Sequence, residues 1–285
     1  MELSRLTRKQ RETFDEDGVL VVRNAINGPT IERLIEAGDC LAASFLGQSE
    51  EKYLQERQGF IQQDAFFDLV AHSPTVSLVV QLLGPNIHLQ SAGIIYKHPE
   101  APGTAPDARG WHRDIGITSD LGHDSLPLVG IKVCYCLTDF HEPNSGLTRI
   151  APKSHRSKSP LAVFEGEFGP RDACDLILNA GDAFLVENRV YHSATRNLTN
   201  RTSKVVIHGY SYRWMKPDLN LDIPDRRLLK KADPITRQLL GGYRSVEVVP
   251  RALLDWAAEH QVCKERVPWV IDGATGKPAE IIPRY

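Results

Sequence analysis

The chain has 285 residues, of which 41% are hydrophobic and 25% charged, enough apolar material for a sizeable core with no low-complexity arm. A formal net charge of -2 excludes the broad basic surface expected of a nucleic-acid binder or of a protein drawn to anionic membranes. The polar opening Met1-Glu2-Leu3-Ser4-Arg5 and the absence of any run of about eighteen apolar residues point to a cytoplasmic protein without membrane spans.

Residues 6–15 are polar and helical in pattern, and Gly18 ends them before the β-branched strand Val19-Leu20-Val21-Val22. Helical spacing returns from Pro29 to Leu46, through Ile31, Leu34, Ile35 and Leu41. It recurs from Ala65 to Leu83, interrupted at Ser73-Pro74, where Ser suits an N-cap, and stopped by Gly84-Pro85. From His88 the pattern changes to short strands between turn residues: 88–96, 110–115, 128–137, 147–150, 176–178, 183–186 and 204–212. Asn179-Ala180-Gly181-Asp182 and Pro143-Asn144-Ser145-Gly146 carry turn chemistry. Such spacing predicts an all-β sandwich or barrel and not βαβ units. Helices resume over 225–240 and 252–260, and the basic cluster Arg226-Arg227 with Lys230-Lys231 reads as a solvated helix face. The expected organisation is one domain spanning 1–285, mainly β, with a core over about 86–214 and helices packed on it from both termini. The five cysteines, Cys40, Cys134, Cys136, Cys174 and Cys263, lack zinc-site spacing and are expected as free, mostly buried thiols.

Trp111-His112-Arg113-Asp114 is the stretch with chemistry in it. Side chains alternate along an extended strand, so His112 and Asp114 share a face while Arg113 points away. His192, in Val190-Tyr191-His192-Ser193, is the best distant partner, and two His with one carboxylate leave three metal positions open, as in non-haem Fe(II) oxygenases. Standing alone, a His-x-Asp is more often a pair of hydrogen-bonded structural residues than a pair of ligands. The rival His98-Pro99-Glu100 precedes a Pro- and Gly-rich loop and lacks a fixed strand face.

An ordered set of stretches alters that balance. Phe14-x-x-Asp17-Gly18-Val19-Leu20-Val21-Val22, Leu82-Leu83-Gly84-Pro85, Trp111-His112-Arg113-Asp114 and Asn144-Ser145-Gly146 come first. Pro152-Lys153-Ser154-His155, Gly181-Asp182, His192 and Asn197-Leu198-Thr199-Asn200-Arg201 follow in the same order. Together, over roughly residues 10 to 215, they resemble the phytanoyl-CoA dioxygenase family of Fe(II)- and 2-oxoglutarate-dependent oxygenases. The resemblance implies a double-stranded β-helix, the cupin-like jelly-roll barrel. It implies Fe(II) on His112, Asp114 and His192, with 2-oxoglutarate and O2 as cosubstrates.

Family members hold the far carboxylate of 2-oxoglutarate with a basic residue, usually an Arg eleven positions after the distal His, and that slot is Ser203 here. A carboxylate in a partly apolar pocket needs a cation or several donors. Arg201 and Lys204 flank the slot and are the expected anchors, with Arg213 behind them, and Thr118 and Gln90 are the expected hydrogen-bond donors. The implied activity is oxidation, by default hydroxylation, of an unactivated carbon in a small molecule or natural-product scaffold, giving succinate and carbon dioxide. Asp114 fills the carboxylate position that related halogenases leave empty. Two alternatives stand beside it: a cupin-type dioxygenase or isomerase that does not use 2-oxoglutarate, and a metal-free binding protein on the same fold. Segments 51–63, 100–109 and 165–172 are candidate lids. Phe60, Tyr96, Tyr210, Tyr212 and Trp214 are core or pocket aromatics. Monomer and homodimer are both open.

Overall fold

The computed structural model describes residues 1–45, 53–56, 61–101, 103, 108–115, 122–217, 226–241 and 251–262. Helix α1 (Arg8–Asp17) starts at a capping box: the Thr7 side chain accepts from the Gln10 backbone N–H, and the Gln10 side chain accepts from that of Thr7. It ends at Gly18, whose φ of 76° is the left-handed conformation that glycine adopts without steric penalty. Strand β1 (Val19–Val22), helix α2 (Gly28–Phe45), strand β2 (Tyr53–Glu56) and the short α3 (Asp64–Phe67) follow. In α4 (Ser73–Leu83) Pro74 sits in the first turn as expected. The N-cap is His72, and the Ser73 hydroxyl instead donates to the Glu2 carbonyl. Every residue of α4 from Thr75 to Leu83 is buried, so this helix lies under protein on all sides.

The β region comprises β3 (Ile87–Lys97), β4 (Ala108–His112), β5 (Gly130–Cys136), β6 (Thr148–Ile150) and, after a single 3-10 turn at Ser154–Arg156, β7 (Cys174–Asp175). It continues with β8 (Ala183–Glu187), β9 (His192–Thr195) and β10 (Ser203–Tyr212). These form a six-stranded sheet in the order β1-β8-β5-β10-β3-β2 and a four-stranded sheet in the order β4-β9-β6-β7, antiparallel at every pairing. The fold is the jelly roll. The expected strand at 176–178 is displaced: the ladder forms at Cys174–Asp175, where Asp175 meets Arg149 at 2.8 Å, while Leu178 makes a lone bridge to Phe140. The helical stretch expected over 225–240 is two helices, α5 (Arg226–Lys231) and α6 (Pro234–Leu239), because Asp233 caps the second one through the N–H groups of Ile235 and Thr236. Helix α7 (Arg251–Glu259) follows.

Burial on both faces accounts for the near-continuous apolar run of the central strands. On β5, Ile131, Val133 and Tyr135 join the core shared with α2 and α4, whereas Cys134 and Cys136 face the second sheet with Phe184, Val186, Leu147 and Ile150. Cys134 and Cys136 are buried free thiols, but Cys40 and Cys174 are exposed, against the expectation of mostly buried cysteines, and Cys263 lies outside the described residues. Tyr96 and Tyr210 belong to the helix-side core, Trp214 is exposed and stacked on Tyr212, and Phe60 lies outside the described residues. Among the described residues no helix is long and apolar enough to cross a membrane.

Candidate metal centre

Pairing of β4 with β9 sets His112 directly opposite His192, and their rings stand 4.3 Å apart. Asp114 follows on a bend just past β4, its N–H donating to the Asn188 carbonyl at 3.0 Å. The alternation expected from the sequence persists there: Arg113 turns away and donates to the carbonyls of Arg189 at 2.7 Å and Ser154 at 2.7 Å, with its guanidinium over the Tyr191 ring. His112, Asp114 and His192 each bring a ligand atom to within 4.8 Å of the others. The His112 Nε2 is 3.8 Å from Asp114 Oδ1, and the His192 Nε2 is 3.7 Å from Asp114 Oδ2.

The donor set fits a divalent metal. His112 Nδ1 donates to the Gly110 carbonyl at 2.9 Å and His192 Nδ1 to the Val190 carbonyl at 3.0 Å. A carbonyl only accepts, so each Nδ1 carries the proton and each Nε2 presents its lone pair to the cluster. Asp114 Oδ2 is buried without a hydrogen-bond partner, a costly state for a carboxylate oxygen that a cation relieves. Burial pushes the His192 imidazole below its ordinary range despite the attraction of Asp114, which keeps it neutral as a ligand must be. Burial alone would raise the Asp114 carboxyl, but His192, Lys132 and His112 outweigh it and hold the group below the usual carboxylate range.

The triad opens onto a cavity of about 330 Å³ whose walls include the apolar Ile95, Phe184, Val186 and Ile207. Two lysines reach it, Lys97 from β3 and Lys132 from β5. Neither figured among the expected anchors, although a lone charge in a strand otherwise buried on both faces was the available signal. The expected anchors lie elsewhere. Arg201 sits on the exposed side of its turn, donating to the Asp139 carbonyl at 3.2 Å. Lys204 binds Asp39 of α2 at 2.6 Å and covers the Tyr96 ring, because it shares the helix-facing side of β10 with Val206 and Tyr210. Arg213 is at the opposite end of β10, where its charge acts on His88. Gln90 falls at a register shift between β3 and β10, which leaves Ser91 on the cavity wall in its place. Thr118 lies outside the described residues, as do residues 102 and 104–107 of the 100–109 segment. Of the other lid candidates, 51–63 contributes β2, an edge strand, and 165–172 packs Gly169 and the Phe168 carbonyl on Trp111. His98 and Glu100 are structural, bonded to Thr202 and Arg196.

Residues 14–205 match the profile of the phytanoyl-CoA dioxygenase family. The chain belongs to that family. It is an Fe(II)- and 2-oxoglutarate-dependent dioxygenase, which sets aside the cupin-type and metal-free alternatives. Among the relatives of this phytanoyl-CoA dioxygenase family member is an ectoine dioxygenase of Nocardia farcinica, 24% identical over 224 residues, covering 67% of this chain and 73% of the relative. An uncharacterized protein of Saccharomyces cerevisiae is 29% identical over 184 residues, covering 57% of this chain and 46% of its own length. HygX of Streptomyces hygroscopicus, solved with nickel and 2-oxoglutarate bound, superposes with a TM-score of 0.61 at 17% identity, over 74% of this chain and 89% of HygX. A second HygX structure, with nickel, 2-oxoglutarate and hygromycin B, gives 0.58 over the same shares at the same identity. At that identity the likeness speaks to the fold.

Proposed function

We propose that this dioxygenase hydroxylates an unactivated carbon of a small molecule, with His112, Asp114 and His192 holding Fe(II) and Lys97 holding the far carboxylate of 2-oxoglutarate. The observation that carries this is the triad at the wall of a 330 Å³ cavity, within the roughly 300–1,000 Å³ usual for small-molecule sites. Ectoine dioxygenase and the hygromycin B complex of HygX support a small-molecule substrate. Free thiols at Cys134 and Cys136 suit a cytoplasmic setting.

Lys97 takes the anchoring role because it is the cross-strand partner of Ser203, the position where the family usually carries Arg. The two side chains meet under the turn at Gly146: the Lys97 Nζ donates to the Gly146 carbonyl and the Ser203 hydroxyl to that of Ser145. The cation has thus moved one strand sideways while staying at the same end of the cavity. Asn197 secures it by donating from Nδ2 to the Lys97 carbonyl at 2.7 Å. When bound, iron with 2-oxoglutarate and dioxygen supplies the oxidising power, and 2-oxoglutarate leaves as succinate and carbon dioxide. The chain's own part is orientation: the Nε2 atoms face one point, Lys97 fixes the cosubstrate's far end, and Ile95, Phe184, Val186 and Ile207 keep water from the reacting carbon.

Lys97→Met should weaken 2-oxoglutarate binding to the Fe(II)-loaded protein by about ten- to a hundredfold, the loss of one charge-assisted hydrogen-bonding site. Arg201→Ala and Lys204→Ala should leave it unchanged. Anaerobic calorimetry reads all three, and weakening by Arg201→Ala or Lys204→Ala in place of Lys97→Met returns the anchor to the flanking residues. The substrate claim is tested by screening small metabolites for succinate release matched by a hydroxylated product. Turnover of an alkane-bearing macromolecule alone would contradict it.

A further inference from the structure

We infer that Lys132 is a positioning residue that reserves the outer oxygen of Asp114, so that only Oδ2 is offered to the metal and three coordination positions stay open. The inference rests on the Fe(II) and 2-oxoglutarate reading of the site.

Lys132 is the only charged residue of β5, a central strand buried along nearly its whole length. An ammonium there is unfavourable without a partner, and its partner is Asp114 Oδ1 at 2.6 Å. Gly209 is its neighbour on β10, and a Cβ there would come within 2.4 Å of the Ser91 hydroxyl and 3.6 Å of the Lys132 Cγ. The two oxygens of Asp114 are therefore in different states: Oδ1 accepts from Lys132, while Oδ2 is buried and bare on the side of His192.

Asp114 lies past the last residue of β4, so strand pairing does not fix its carboxylate. Lys132 does. A carboxylate with both oxygens free can grip a metal with both, and that second bond would occupy a position that 2-oxoglutarate or dioxygen requires. Charge points the same way. A lysine this close to a divalent cation repels it, so retention of metal alone would not place an ammonium here. What Lys132 contributes is the orientation of a ligand it touches, as outer-shell partners of metal carboxylates do.

The test uses the full chain, loaded anaerobically with Fe(II) and titrated with 2-oxoglutarate, following the visible charge-transfer band of the chelated complex and the calorimetric affinity. Lys132→Met should bind Fe(II) at least as tightly as the parent. It should lose about ten- to a hundredfold in 2-oxoglutarate affinity, with the band altered even at saturation. Lys132→Arg, which keeps a charged donor, should restore the band. Lys97→Met serves as the contrast, weakening affinity while leaving the saturated band unchanged. An unaltered band and affinity in Lys132→Met overturn the inference, and so does a loss of Fe(II) binding in Lys132→Met that Lys132→Arg fails to rescue. Absence of any band in the parent chain would instead remove the dioxygenase reading, and the role of Lys132 with it.

Discussion

Arg113 sits between His112 and Asp114 in sequence and touches neither, yet it braces both. Its guanidinium donates to the Arg189 and Ser154 carbonyls, meets His123 Nδ1 at 2.8 Å and lies over Tyr191, tying the segment that follows His112 to the turn that precedes His192. Arg113→Met leaves those carbonyls without their donor and should lower stability by about 3 kcal/mol. It should also loosen Fe(II) binding by about tenfold through the ligands it aligns. Urea unfolding and an anaerobic Fe(II) titration check the two halves. At this scale the grouping of the triad was legible in the sequence, since alternation put His112 and Asp114 together and the ordered motifs supplied His192, and the three do meet. The lysines that line the cavity, Lys97 and Lys132, were not. The residues that flank Ser203 in sequence do not face the cavity, Lys204 turning to the helices, whereas Lys97 is adjacent to Ser203 only through cross-strand pairing, which one chain's local pattern does not reveal.

Elements explain why such scattered motifs travel together. Gly18 at the end of α1 packs so closely on the turn before His192 that a Cβ would fall 2.3 Å from Val190 Cγ2 and 2.8 Å from His155 Nδ1. The Ser154 hydroxyl accepts from the Tyr191 N–H at 2.8 Å. The Asp17-Gly18 and Ser154-His155 motifs thus form one support beneath His192. Gly18→Ala combines a positive φ of 76° with that overlap. It should cost about 2–4 kcal/mol and weaken metal binding, measurable as a lower thermal midpoint and a raised Fe(II) dissociation constant. A stable Gly18→Ala protein with unchanged Fe(II) affinity would separate this support from the site. The long apolar strands were legible because burial on both faces makes them continuous runs. β9 was missed because His-Ser-Ala-Thr carries little strand signal, and β2 because its Tyr-Leu-Gln-Glu is an edge strand within a segment read as a lid.

Across the whole molecule, folding also buries histidines of the large sheet in neutral form. Burial, above all, pushes His88 down to about 4 and His208 down to about 3. In the unfolded chain both titrate near about 6.5, so from there downward the unfolded state takes up more protons than the folded one. Stability is therefore fully present above that value and falls on acidification, by up to about 1.4 kcal/mol per pH unit for each histidine. Unfolding free energies at successive pH values should show this slope, and His208→Gln should reduce it by one histidine's share; an unchanged slope would mean that His208 is protonated in the folded protein. The jelly roll itself followed from strand spacing and the ordered motifs, since turn chemistry at Asn179–Asp182 and Asn144–Gly146 marks where strands reverse. The decisive property of this barrel is 2-oxoglutarate chemistry at His112, Asp114 and His192. The direct measurement is succinate release from 2-oxoglutarate by the Fe(II)-loaded chain in air, with small-molecule candidates present, beside His112→Ala and Asp114→Ala. Iron- and oxygen-dependent succinate from the parent chain, absent from both variants, is the predicted result. Equal succinate from parent and variants would contradict it.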